Sequence, residues 1–322
     1  MNRRAIAALL AAALAGSSCV SAPWRAVDAR PAPANPPSAD PYYGYTPQPI
    51  TPVIEAIRAK PRFRQWRVTW PSARPLLRPD ETIIVEWFET TAPGRRPAVL
   101  VYPILGGDYP VERGFARYFA EHGLHAALIY REKFKFSRER DAGYMELLFQ
   151  QAVVKNRQVV DWLSAQPTVD AAHLGGFGIS MGGIQAVITA ACEPRLSAHV
   201  MCLAAGPMAD ILRMTHDRIV TKPRDRYLRE TGHDLAWLTT AVQRALRSDP
   251  LRLAPAVNSS HVLYIAARFD RTMPWRLSRQ LWQALGQPRR LTLPLGHYTS
   301  LLALHYVRWR ALRWFEVQWS LR

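Results

Sequence analysis

The chain has 322 residues, 48% hydrophobic and 21% charged, enough for one sizeable core and ordinary enough in composition to exclude wholesale disorder. Its formal charge is +17, yet Lys60, Lys133, Lys135, Lys155 and Lys222 are the only lysines, so scattered arginines supply nearly all of it. With no basic stripe and no recognisable reading module, nucleic acid is excluded as a partner, whereas attraction to anionic lipid or envelope polymers is compatible with the charge.

Arg3 and Arg4 precede an apolar run from Ala5 to Ala15, and Gly16-Ser17-Ser18 leads to Cys19. This is the build of a secretory signal, and the run is too short to span a bilayer as a permanent helix. Leu14 to Cys19 resembles the bacterial lipobox, in which the cysteine becomes the lipidated first residue of the mature protein, although Gly16 stands where that motif prefers leucine. Cleavage after Ala22 is the competing reading. The expectation is a signal peptide over 1–18, lipidation at Cys19, and an exported protein facing the periplasm from a membrane, or else a soluble periplasmic or secreted one. Prolines and alanines then dominate residues 19–61, which reads as a tether. Tyr42, Tyr43 and Tyr45 give it more aromatic surface than a free linker needs, so its end is expected to pack on the domain.

The folded domain is expected over 62–322. Gln65–Trp70 and Thr82–Phe88 predict an antiparallel hairpin. Pro97–Pro103 is almost wholly apolar and predicts a buried strand ending at Gly106-Gly107. A helix is predicted over Pro110–His122, a strand over Leu124–Tyr130, and a helix over Gln150–Ala165 with Val153, Val154, Val160 and Leu163 on one face. Strand Ala172–Ile179, helix Ile184–Ala191 and strand Ser197–Ala205 follow. His261–Ala267 and Arg290–Leu293 read as the last strands, with Trp275–Leu285 between them and a helix over Thr299–Trp319 at the end. Alternating strands and helices predict an α/β fold with a mostly parallel, eight-stranded sheet covered on both faces. About fifty residues between Gly206 and Ser260 break that alternation, and residues 208–247 read as a helical cap over the strand ends. Met208, Met214 and Trp237 are its candidate substrate-binding residues, since methionine and tryptophan suit an adaptable apolar wall. Cys192 and Cys202 read as buried free thiols rather than a pair. No Cys/His metal spacing is present and no cofactor is expected.

The stretch that carries chemistry is Gly178-Ile179-Ser180-Met181-Gly182, with a strand before it and a helix after it. Gly-x-Ser-x-Gly in that setting holds a serine on a sharp strand-to-helix turn. Glycines on either side avoid Cβ clashes with the neighbouring strand and helix. A serine hydroxyl needs a base, and the base needs an orienting acid. Asp270 falls on the loop after the strand ending at Ala267, and His297 on the loop after the last strand, preceded by Gly296. The candidate catalytic set is therefore Ser180, His297 and Asp270, with Asp210 as the rival acid. Two backbone N–H groups should face the developing oxyanion. Met181 is one candidate; the other lies in the turn after Pro103, with Leu105 favoured over Ile104 and Gly106.

These residues, with Val169-Asp170 leading into the Gly-x-Ser-Met-Gly-Gly motif, resemble the α/β-hydrolase superfamily, nearest its dienelactone-hydrolase and prolyl-oligopeptidase-like branch. The resemblance runs from about Arg62 to the end. It departs from that branch at Tyr102-Pro103, where many relatives carry His-Gly, and its serine in place of cysteine argues against a true dienelactone hydrolase. The resemblance implies a serine hydrolase that forms an acyl-enzyme from a small ester or acyl substrate without metal or cofactor. Carboxylic esters are the expected substrates. A peptidase or amidase, or a silent relative that binds an envelope ligand, are the alternatives.

Overall fold

The computed structural model describes residues 36–321 apart from 107, 134 and 135. The signal-like segment, Cys19, the start of the Pro/Ala-rich stretch and Gly107 lie outside the described residues. The sheet begins with three antiparallel strands, β1 (Val53–Lys60), β2 (Phe63–Pro71) and β3 (Thr82–Thr90). Then strands alternate with helices: β4 (Arg96–Tyr102), α1 (Pro110–Glu121), β5 (His125–Ile129), α2 (Ala142–Ser164), β6 (Val169–Ile179), α3 (Met181–Cys192) and β7 (Leu196–Cys202). Three helices stand between β7 and the next strand: α4 (Met208–Met214), α5 (Arg218–Thr231) and α6 (Leu235–Ala245). The chain closes with β8 (Val262–Ala267), α7 (Trp275–Ala284), β9 (Arg289–Leu293) and α8 (Leu304–Gln318).

The nine strands lie in the order β1-β2-β3-β5-β4-β6-β7-β8-β9. From β5 to β9 every pairing is parallel, while β3 joins β5 antiparallel. The sequence suggests eight strands, and the ninth is β1, inside the stretch that reads as tether. All eight of its residues are exposed, so it carries none of the in-out alternation that marks a half-buried strand. The central strands show the opposite pattern. In β4 the residues after Arg96 are all buried, as a parallel strand covered on both faces requires.

Two apolar clusters flank the sheet. One includes Phe115, Phe119, Leu312 and Phe315 from α1 and α8; the other includes Phe149, Val153, Val187 and Leu281 from α2, α3 and α7. Helix α2 begins well before Gln150, because the Asp141 side chain accepts from Tyr144 N at 3.0 Å and Met145 and Phe149 extend the buried face. That cap satisfies one of the first-turn amides.

Residues 36–50 are held against the domain, chiefly against α2. Tyr43 is among the largest fully buried side chains. Its hydroxyl lies 2.8 Å from Ser248 Oγ, and its carbonyl accepts from Arg157 at 2.9 Å. Tyr42 OH donates to Glu146 at 2.9 Å and Tyr45 OH to Asp161 at 2.6 Å. Truncating a buried aromatic to alanine removes its transfer energy and leaves a cavity, together about 3–5 kcal/mol. Tyr43→Ala is accordingly expected to lower the thermal unfolding midpoint by several degrees, read by calorimetry, without displacing any cavity-lining side chain described below.

Candidate active site

Ser180 sits where β6 turns into α3, with φ 58° and ψ −118°. A non-glycine residue in this region costs on the order of 1–3 kcal/mol and persists only where its surroundings hold it. Here Ser180 N donates to Cys202 O at 2.8 Å, and Ser180 O accepts from Ile184 N at 3.0 Å as α3 begins. The flanking glycines make the turn possible. A Cβ on Gly178 would come under 3 Å of Gly182 O, and one on Gly182 under 3 Å of Tyr102 O.

Asp270 and His297 reach the site from the loops after β8 and β9. Imidazole Nδ1 of His297 donates to Asp270 Oδ2 at 2.7 Å, and Asp270 is buried. The other carboxylate oxygen, Oδ1, accepts from Thr272 N at 2.8 Å and Met273 N at 2.7 Å. The carboxylate is thus fixed by two amides at one oxygen and presents the other to the ring. An imidazole held at Nδ1 in this way has Nε2 free for proton transfer. Asp210 sits elsewhere, on α4, paired with Arg213 at 2.8 Å.

Ser180 and His297 line one cavity of about 290 Å³. Among the described residues the Ser180 hydroxyl has no hydrogen-bond partner, and catalytic contacts of this kind often tighten only when substrate is bound. The wall draws on both apolar clusters. Phe136, Met145, Met208, Ile211, Leu212 and Met273 belong to one side, and Cys202, Leu203, Ile265, Leu293 and Val307 to the other.

The turn after β4 also reaches the cavity through Ile104, Leu105 and Gly106. A buried carboxylate, Glu112, and a half-buried guanidinium, Arg131, pin it. Ile104 N donates to Glu112 Oε1 at 2.6 Å, and Arg131 Nη2 donates to Ile104 O and Leu105 O, both at 3.0 Å. Burial pushes the Glu112 carboxyl above its ordinary range and the Arg131 guanidinium below its own. Because Ile104 N–H is committed to Glu112, it is removed from the three oxyanion candidates. The amides of Leu105 and Met181 donate to no acceptor among the described residues.

Of the cap residues singled out from sequence, Met208 lines the cavity, whereas Met214 and Trp237 do not. Met214 packs outside it, with Arg276 Nη2 3.3 Å from its sulfur. Trp237 is partly exposed and stacks on His233 with ring centroids 3.5 Å apart. Helix α6 turns its buried Leu238 and Val242 toward the domain, and the tryptophan, one residue before Leu238 and so about 100° around the helix, is left on the outside.

Sequence reasoning missed a group that ties cap to site. Asp217, which caps α5 through Ile219 N at 3.0 Å, accepts at Oδ2 from Thr272 Oγ1 at 3.1 Å and from Tyr298 OH at 2.5 Å. Burial and this carboxylate push the Tyr298 hydroxyl up to about 12. Tyr298 follows His297, so the latch joins α5 to the histidine loop. The signal in the sequence was only Asp217 ahead of a helical run, which is an ordinary N-cap.

No protein-family model matches the chain, and no curated protein matches it significantly. Solved structures do. An acetyl xylan esterase from a Thermoanaerobacterium species is 16% identical with a TM-score of 0.59, covering 80% of this chain and 88% of that one. The 2,6-dihydroxy-pseudo-oxynicotine hydrolase gives 16% identity and a TM-score of 0.59 over 78% of this chain and 67% of its own. Pyrococcus horikoshii acylaminoacyl peptidase gives 14% and 0.57, over 79% of this chain and 42% of its own. At such identities the likeness speaks for architecture alone, and with the sheet order and the serine turn it shows that this chain has the α/β-hydrolase fold.

Proposed function

We propose that the protein is a serine hydrolase of carboxylic esters with an apolar acyl group. The observation that carries this reading is the 2.7 Å Asp270–His297 contact on the wall of the cavity that also holds Ser180 on its strained turn. Ser180 Oγ attacks the ester carbonyl as His297 takes its proton. The tetrahedral oxyanion is met by the N–H groups of Met181 and Leu105, and α3, running away from Ser180, adds the positive end of its dipole. His297 then protonates the departing alcohol, and water on the same base hydrolyses the acyl-enzyme.

The cavity wall supports the choice of substrate. Besides Ser180 and His297, its polar side chains are Asp217, Thr272, Tyr298 and Ser300, and three of those four are bonded to one another. An acetyl group, named in the acetyl xylan esterases, would leave most of the space unfilled. Each methylene taken from water into such a wall gains about 0.8 kcal/mol, or about fourfold in rate. Across p-nitrophenyl esters, kcat/KM is therefore expected to rise by about two orders of magnitude from butyrate to octanoate.

A fluorophosphonate probe tests the reading itself. Covalent labelling of the folded protein that vanishes in Ser180→Ala supports it; a folded protein that takes no label is a binding protein, and the proposal fails. We also propose that the protein is exported and anchored through lipid on Cys19, on the strength of the Leu14–Cys19 pattern. Incorporation of labelled palmitate that is lost in Cys19→Ala is the expected result.

A further inference from the structure

Three stretches meet at the mouth of the cavity. Residues 213–222 lead into and form the start of α5, 268–276 follow β8, and 296–305 carry His297. They are tied together by Asp217 to Thr272 and to Tyr298, and by His216 N donating to Arg271 O at 3.2 Å. On this rim Ile219, Phe269, Tyr298, Leu301 and Leu302 are each more than half exposed. Ile219, Tyr298 and Leu301 also line the cavity, so the exposed apolar rim runs unbroken into the apolar interior. Soluble proteins seldom leave such a concentration of large apolar side chains in water without a partner for it.

The charge around this rim is one-sided. Arg218, Lys222 and Arg271 are exposed there and take part in none of the ion pairs among the described residues. The carboxylates on the three stretches are Asp217 and Asp270, and both are turned inward onto hydroxyls, amides and the imidazole. Large apolar side chains ringed by unpaired cations match a surface that is itself apolar beneath and anionic on top. We propose that this rim is a docking surface for an anionic phospholipid bilayer, which seats the cavity mouth on the membrane so that a lipid-borne acyl ester enters without crossing water. The identity of the substrate in that statement rests on the ester reading above; the docking itself does not.

The test places a fluorophore on the rim. Leu302→Cys is introduced into the full chain carrying Cys19→Ala and labelled with an environment-sensitive nitrobenzoxadiazole; Cys192 and Cys202 are buried. With vesicles of equal parts phosphatidylglycerol and phosphatidylcholine the emission is expected to rise and shift to the blue. With phosphatidylcholine alone it is expected to stay unchanged. Adding Arg218→Glu and Arg271→Glu should raise the lipid needed for half-maximal response at least about tenfold. No response to either vesicle overturns the proposal, as does an equal response to both. A response to soluble polyglutamate but not to vesicles also overturns it, in favour of an acidic protein partner. Fluorophosphonate labelling separates the two readings: label without a vesicle response sinks the docking alone, and a vesicle response without label sinks the hydrolase alone.

Discussion

An Asp270→Asn protein is expected to hydrolyse esters about 10⁴-fold more slowly than the parent, with KM little changed. The reason lies in how the carboxylate is held. Oδ1 accepts from two amides, Thr272 N and Met273 N, so an asparagine must put its oxygen there, since its NH₂ group is a donor with no lone pair to accept either N–H. The NH₂ is then left facing His297 Nδ1, where Oδ2 now sits at 2.7 Å. Facing a donor, Nδ1 must become the acceptor, and the single proton of the neutral ring moves to Nε2. In that tautomer Nε2 cannot take the proton of Ser180. The loss amounts to about 5 kcal/mol of transition-state stabilisation, with folding and fluorescence spectra unchanged because the side chain keeps its shape. Steady-state kinetics on one soluble ester, with Asp210→Asn beside it, decides the matter. Asp210 is paired with Arg213 on the flank of α4, and its replacement should leave kcat within about twofold.

The contrast between these two acids shows what the sequence could and could not carry. Loops after successive parallel strands open at the same edge of the sheet, so Asp270 and His297 were legible from their positions just past β8 and β9, and the apolar runs of β4 and β6 were legible as covered strands. What failed were judgements about which way a side chain faces on an element whose packing partner is unknown. Met208 and Met214 lie six residues apart on one short helix, and only the first reaches the cavity. Trp237 has the chemistry of a pocket wall but sits off the face of α6 that carries Leu238 and Val242. Strand β1 escaped because it is exposed throughout: with nothing buried, hydrophobic periodicity has nothing to report. Glu112 and Arg131 escaped for the opposite reason. They are charged residues turned inward to hold the carbonyls and N–H of a turn, and no pattern of spacing in a sequence announces that role.

That turn brings the last expected result. Gly182→Ala should lower kcat by about 10²–10³-fold, the cost of losing one oxyanion donor, and should also lower the thermal midpoint. The new Cβ would press on Tyr102 O and lie 3.2 Å from Pro103 O, at the point where β4 runs into Ile104 and Leu105. Neither side gives way easily. On one side the turn is clamped by Glu112 at Ile104 N and by Arg131 at the carbonyls of Ile104 and Leu105; on the other, α3 is packed into the core through Ile184 and Val187. Whichever side yields, the start of α3 and the turn are forced apart, and that separates Met181 N–H from Leu105 N–H. Restoring ordinary contact at Tyr102 O takes about an ångström of movement, after which two donors tuned to one oxygen cannot both reach it, whereas an apolar acyl chain bound against the far walls is barely disturbed. The signature is a fall in kcat with a nearly constant KM. A variant that instead keeps its kcat and loses only stability would place the oxyanion away from the junction of α3 with this turn.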